Sequence, residues 1–297
     1  MNSLAAYIMR GRVQAMLVAA TLALVSLIMP PVSIVSSATV ALVTLRMGAF
    51  EGLYVLACSS AAAALLGFLL LGNFQFALVY AGVLWLPVWL ISIVLREGRH
   101  LSLAVEMAVL LGIVWVLGFY IYNPDAGLMW KEMLVQMLPT DAPMEEMQHT
   151  IDVMARYMTG IVATGMVSSL LFGLFLGRWW QANLYNPGGF RQEYLSLTAH
   201  PALTLGTMAV VILALASSGI VSEVSWNVAV LLFVLYAFIG TAVLHTVFAA
   251  MKLARYAVPM FYITLFLIPH AILPVALIGL VDAWLNLRKK HSTPNAP

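Results

Sequence analysis

The chain has 297 residues, 63% of them hydrophobic and only 9% charged, with a mean hydropathy of +0.99. Soluble domains carry about 25% charged residues, so a water-soluble fold is excluded and the solvent must be lipid. The net charge of +2 gives no electrostatic basis for nucleic-acid binding.

At the N-terminus, Arg10 and Arg12 precede an apolar run over 13–29, and Ser36-Ser37-Ala38 follows. This order imitates a signal peptide. Pro30 leads into another apolar run and not into a soluble domain, so a retained signal-anchor helix is expected. Ala15, Ala19 and Ala23 recur at every fourth position of this first span, a spacing that lets membrane helices pack closely. The stripe serves either packing within the bundle or docking of another membrane-protein subunit.

Further apolar runs cover 32–45, 53–71, 74–95, 101–122, 157–177, 201–219, 226–251 and 258–286. A span needs about 20 apolar residues. Of 14 basic and 12 acidic residues, only Glu106 and Asp282 lie inside the runs, where a charge costs about 2.5 kcal/mol or more. The runs are continuous and do not alternate, so helices are expected and a barrel is not. The fold class that follows is all-α: a polytopic transmembrane helix bundle of about 8–10 spans in one integral membrane domain. Cys58, the lone cysteine, lies in an apolar run and reads as a small buried hydrophobe.

Glu106 is a candidate intramembrane proton or cation site, or else a shallow carboxylate bending toward Arg96 or Arg99. Segment 123–157 carries two basic residues, Lys131 and Arg156, against six acidic ones. Within it, Trp130, Met133, Leu134, Met137 and Leu138 share one helical face, and Met144, Met147, Ile151, Met154 and Met158 form another seam. Asp141, Pro143 and Glu145 mark a helix start, so an amphipathic helical hairpin over the bundle is expected. Met129, Met133 and Met137 with His149 also raise a soft-metal site, although the same methionines complete an apolar face, and no metal ligand set is assigned.

Gly165, Ser169, Gly173 and Gly177 repeat the every-fourth-residue pattern in the sixth span. After it, 178–200 reads as a cytoplasmic loop with Trp179 and Trp180 at the membrane interface. Arg178 and Arg191 in this loop flank the turn signal Asn186-Pro187-Gly188-Gly189. The residues 201–286 form additional C-terminal helices, and 287–297 a basic tail. His245 and His270 are lone membrane histidines that serve either as hydrogen-bonded packing residues or as relay members. Asp282, shortly before Arg288, reads as an interfacial ion pair or helix-end anchor.

Eleven of the 14 basic residues fall in five clusters: Arg10 and Arg12, Arg96 and Arg99, Arg178 and Arg191, Lys252 and Arg255, and Arg288-Lys289-Lys290. The positive-inside rule places these in the cytoplasm, with the N-terminus inside and 123–157 and Glu223 outside. The final run is interrupted by Pro269 and Pro274. Two half-length helices meeting near His270 would return the tail to the cytoplasm; one kinked span would not.

No Walker loop, zinc-protease helix, nucleophile elbow or dinucleotide fingerprint occurs. Neither an enzyme nor a cofactor protein is expected, and active transport would draw on an ion gradient or another subunit.

Two stretches carry a resemblance. The run from Arg178 through Trp179, Trp180 and Asn186-Pro187-Gly188-Gly189 to Arg191, and the ending from Gly279 through Asp282 to Arg288-Lys289-Lys290, resemble the YybS-like bacterial membrane proteins, a family of unknown function. That family often has an acidic residue where this chain has Asn286. The first six spans are also similar to the substrate-binding S subunits of energy-coupling-factor transporters, whose first helix carries an AxxxA face like Ala15-Ala19-Ala23. This resemblance implies a six-helix unit over 13–177 with a small-molecule pocket near its outer side. The MreD cell-shape family shares that architecture without transporting, so fold alone does not decide function. Two readings follow for a bacterial inner-membrane protein: transport-related small-molecule binding, or a scaffold that binds other membrane proteins through its small-residue faces.

Overall fold

Inside lipid a backbone must satisfy its own hydrogen bonds, and each apolar run does so by coiling. A computed structural model describes residues 2–138, 144–251 and 254–290. Among these residues the only regular structure is helical. A short α1 (Asn2–Ile8) precedes α2 (Arg12–Val25), α3 (Val32–Met47) and α4 (Ala49–Leu71). Then α5 (Gln75–Tyr80) runs through a π-turn at Ala81–Trp85 into α6 (Leu86–Gly98). The turn widens just ahead of Pro87, whose ring would otherwise meet the carbonyl of Val83. Next come α7 (Leu101–Tyr122), α8 (Ala126–Gln136) and the 42-residue α9 (Met144–Tyr185). A short α10 (Gly189–Leu195), α11 (Pro201–Ala216), α12 (Gly219–Ala250), α13 (Ala254–Leu267) and α14 (Ile272–Leu285) complete the chain. Five helices are long and apolar enough to cross a membrane: Ala49–Leu70, Gln75–Gly98, Leu101–Tyr122, Met147–Tyr185 and Gly219–Ala250. The remaining apolar helices are 10–17 residues long.

Several expected boundaries shift. The second leg of the expected outer hairpin is no separate helix; it is the start of α9, which continues without a break through the sixth span and into the expected loop 178–200. No glycine–proline punctuation interrupts 144–185, and the first breaker is the turn at Asn186–Gly188, where Gly188 takes φ 87°. Trp180 is buried in a helical core, and Trp179 is half-buried beside it. Along the start of α9 the buried face is Ile151, Ala155 and Thr159, while Met154 of the expected methionine seam is exposed. The runs 201–219 and 226–251 are divided at Ser217-Ser218 and not in the 220s. The last run is two helices. Ile268 leaves the helical region (φ −127°, ψ 81°), a single 3₁₀ turn at Pro269–Ala271 follows, and Pro274 sits in the first turn of α14, where a missing N–H costs little. The expected helix start at Asp141 and Pro143, together with Lys252 and residues 291–297, lies outside the described residues.

The chain divides into two compact units. Unit 1 comprises residues up to Ala108 with Met166–Ser196, and unit 2 comprises Val109–Gly165 with the chain from Leu197 onward. In unit 1, α2 packs on α3 and α4, and α3 packs also on α6. Ala15, Ala19 and Ala23 are all buried in that packing, so the alanine stripe is filled by the chain's own helices and presents no free docking face. The same holds for Gly173 and Gly177 of α9. A Cβ at Gly177 would lie 2.7 Å from that of Ala41 and 2.9 Å from the Ala38 carbonyl, and one at Gly173 would strike the Ser37 hydroxyl. Ser169 is half-buried in unit 1, whereas Gly165 belongs to unit 2 and is exposed with open space at its Cβ position, so the stripe is not one contact.

The polar side chains of the unit 1 core are satisfied mainly by helix carbonyls. Ser37 Oγ donates to Ser33 O, Thr39 to Val35 O, Thr44 to Val40 O and Ser92 to Val88 O. The C-terminus of α3 gathers donors: Arg96 Nη1 reaches the Leu45 carbonyl at 2.6 Å, Gln181 Nε2 reaches it at 3.1 Å, and Arg46 lies over the Tyr185 ring at 4.0 Å. Cations and donors favour that end of a helix. Gly48, at φ 115°, then turns the chain into α4 through a conformation that side chains resist.

In unit 2, α12 packs on α11 and α14. Gly240 of α12 and Gly279 of α14 meet backbone to backbone: a Cβ on Gly240 would overlap the Val275 carbonyl, and one on Gly279 the Tyr236 carbonyl. Thr207 and Tyr236 share a hydroxyl hydrogen bond of 2.9 Å between α11 and α12.

Candidate functional site

The densest meeting of polar and aromatic groups in unit 2 lies where α8 is tied to α7, α9 and α12. Glu223 and Asn227 stand four residues apart, one above the other on a single face of α12. The Tyr120 hydroxyl, near the end of α7, donates to Glu223 Oε1 at 2.8 Å. Asn227 Nδ2 lies within reach of three acceptors: the Arg156 carbonyl at 2.8 Å, the Glu223 carbonyl at 2.8 Å and Tyr120 Oη at 3.0 Å. Its Oδ1 accepts from the Gly160 N–H. The carboxamide thus brackets the Arg156–Gly160 step of the α9 ladder. Gly160 makes this approach possible, because a Cβ there would sit 2.6 Å from the Asn227 carbonyl oxygen.

The first turn of α8 rests on the same carboxylate. A Cβ at Gly127 would be 3.2 Å from Glu223 Oε1, so glycine lets the helix start approach the charge. A carboxylate at a helix N-terminus is stabilised by about 0.3–1 kcal/mol. One turn on, Trp130 Nε1 donates to Thr159 Oγ1 at 2.8 Å, and its ring stacks on Phe119, which stacks in turn on Trp115. Lys131 and Asp152 pair at 2.6 Å on the exposed side. Tyr157 and Trp226 meet edge to face. Chemically, the cluster offers one carboxylate, hydroxyl and carboxamide groups and a stacked aromatic wall.

The residues singled out from sequence are not brought together here. Glu106 is half-buried on the unit 1 part of α7, and the Arg96 considered as its partner is engaged by Leu45 O and, at 3.6 Å, by Glu97. Asp282 is only 5% exposed and is paired with Arg288, whose Nε and Nη2 reach Oδ2 at 3.1 and 2.7 Å. Arg288 Nη2 also donates to the Leu197 carbonyl. His245 lies edge-on to Tyr262 and Phe261, and His270 is exposed in the 3₁₀ turn. Arg178 pairs with Glu193 through Nε at 2.9 Å and through Nη2, closing α10 against α9 over the Pro187-Gly188-Gly189 turn, while Arg191 is exposed. Among the described residues no group of three or more His, Cys, Asp or Glu is placed to hold a metal ion.

Sequence reasoning passed over Tyr120, Thr159, Gly160 and Asn227. Asn227 had a usable signal, as the one carboxamide in an otherwise apolar run. Comparison of the chain with protein-family models, curated proteins and solved structures gives no match.

Proposed function

We propose that this is a transport-related membrane protein that binds a small molecule in unit 2, with α8 as the cover of that site. The observation that carries the reading is the clasp of α8: one end lies against Glu223, whose carboxylate Tyr120 holds, and its middle is held by Trp130 on Thr159 and Phe119. An amphipathic helix held at a few polar points over aromatic and carboxamide groups can open by exchanging those points for water, at about 1 kcal/mol per hydrogen bond. Its outward methionines, Met133 and Met137, are exposed, and methionine surfaces repack readily. The absence of a nucleotide motif leaves an ion gradient or a second subunit as the energy source.

Native mass spectrometry of the mildly extracted protein tests the proposal. The expected result is a non-lipid small-molecule adduct on the wild type that is lost from the Glu223→Gln/Trp130→Ala double variant. A wild type carrying no such adduct under any growth condition would leave the scaffold reading ahead. One observation keeps that second reading in view: the apolar windows of Ala49–Leu70 and Gln75–Gly98 are each only 28% buried, leaving broad faces to lipid or a neighbour.

The charge distribution supports an orientation in a bacterial cytoplasmic membrane with the N-terminus and 178–200 inside and α8 outside. Cysteines introduced at Gln136 and Asn186 should label differently with a membrane-impermeant maleimide on intact cells: Gln136 reacts and Asn186 does not. Equal labelling would overturn the orientation.

A further inference from the structure

The polar cluster at α8 contains a carboxylate whose charge the chain does not pair. Glu223 Oε1 accepts from the Tyr120 hydroxyl, while Oε2 takes no hydrogen bond or ion pair among the described residues. Two cations belong to the same cluster, and neither serves it. Lys131, four residues after Gly127 on α8, pairs with Asp152 at 2.6 Å. Arg156, whose carbonyl accepts from Asn227 Nδ2, is exposed and forms no ion pair among the described residues. The start of α8 and the Tyr120 hydroxyl ease the charge of Glu223 without cancelling it.

Aromatic rings stand on both sides of that charge. Trp130 is three residues along α8 from Gly127 and stacks on Phe119, which lies edge-on to Tyr120. Trp226 is three residues after Glu223 on α12 and meets Tyr157 edge to face. Residues three apart are neighbours on a helix surface. Glu223, Phe119, Trp130 and Trp226 are all half-buried, so each keeps accessible surface. An opening adjoins the carboxylate on α12 itself. Gly219 is exposed one turn before Glu223 on the same face, and nothing stands within 4 Å of its Cβ position.

These features select the charge of a guest. An anion would be repelled by Glu223, and a neutral guest would cover the carboxylate without pairing it. A bare metal ion finds too few ligands, since no group of three or more His, Cys, Asp or Glu is placed to hold one among the described residues. An ammonium centre is drawn both by the carboxylate and by the faces of aromatic rings. Segment 123–157, with six acidic residues against two basic, adds a field of the same sign. We propose that the guest of the α8 site is an organic cation, an alkylated ammonium whose charged end lies between Glu223 and Trp130. This inference rests on the reading of unit 2 as a small-molecule site and adds the class of the molecule.

Equilibrium dialysis of the full chain in lipid nanodiscs with benzyltrimethylammonium tests the proposal. Phenylacetate and benzyl alcohol are the anionic and neutral counterparts, and protein-free nanodiscs measure partition into lipid. The expected result is saturable binding of the cation alone. Glu223→Gln, which keeps the shape, should weaken it about tenfold or more, the effect of losing a charged partner. Trp130→Ala should weaken it about threefold, the effect of losing one ring face. Glu132→Gln removes the same charge from an exposed position of α8 and should leave binding unchanged. The site variants should keep the wild-type helical circular dichroism; if Glu223→Gln does not, Trp130→Ala carries the test. No saturable binding, equal binding of phenylacetate or benzyl alcohol, or equal weakening by Glu132→Gln and Glu223→Gln would overturn the proposal. Its failure is distinct from failure of the α8 reading. A neutral or anionic adduct in native mass spectrometry of the wild type removes the cation and leaves the site, whereas the absence of any adduct removes the site itself.

Discussion

Alanine at Gly240 or Gly279 is expected to lower the thermal stability of unit 2 more than any other single-methyl change. The new carbon would occupy space already taken by the Val275 carbonyl in the first case and the Tyr236 carbonyl in the second. Neither obstacle is the end of a flexible side chain, so α12 and α14 must move apart. Overpacking of this kind costs about 3 kcal/mol, and small interfacial residues are what allow membrane helices to meet closely. For a protein of this size that is a fall in Tm of about 6–12 °C, read by scanning fluorimetry in detergent. Gly206→Ala and Gly82→Ala, where nothing lies within 4 Å of the new carbon, are the matched controls and should leave Tm unchanged. A silent Gly279→Ala would mean that α14 does not cross α12 at these glycines.

The second large effect is expected at Arg288. Asp282 and Arg288 form a buried pair, with side-chain exposures of 3% and 13%, and the guanidinium also holds the Leu197 carbonyl. Removing one partner of such a pair leaves a charge in a low-dielectric setting and costs about 3–5 kcal/mol. Arg288→Ala should therefore destabilise strongly, whereas Arg288→Met with Asp282→Leu should recover most of the loss, because no unpaired charge remains. The four members of this double-mutant cycle, compared by denaturation in mixed micelles, decide the matter. Equal loss in the single and double variants would show that the side chains act through shape and not through charge. The Asp282 Oδ1 atom is buried without a hydrogen bond, so the carboxylate already relies on Arg288 alone among the described residues.

Much of the architecture was legible without coordinates. The all-α class followed from continuous apolar runs, and the break near His270 from Pro269 and Pro274. Asp282 beside Arg288 was readable because the two are six residues apart on consecutive turns. Boundaries failed where they depended on amphipathic pattern and not on a breaker. The methionine seam at 144–158 reads as its own helix, yet nothing in the sequence stops α9 before Tyr185. The burial of Trp180 in one core with Ile8, Leu42 and Val55 was not legible either, because it depends on which face of α9 the neighbouring helices cover.

The sequence by itself determined the solvent, the helical class and the positions of most chain breaks, since these depend on hydropathy and on residues that cannot continue a helix. Only the tertiary structure decided which polar groups meet. Tyr120 and Glu223 are 103 residues apart, and Gly160 and Asn227 are 67 apart. The glycines that let Asn227 reach α9 and α14 reach α12 carry no local sign of their partners. The physical reason is that a close approach is a property of two surfaces. A small residue in a membrane helix permits contact, but what fills the space is chosen by the helix that packs against it.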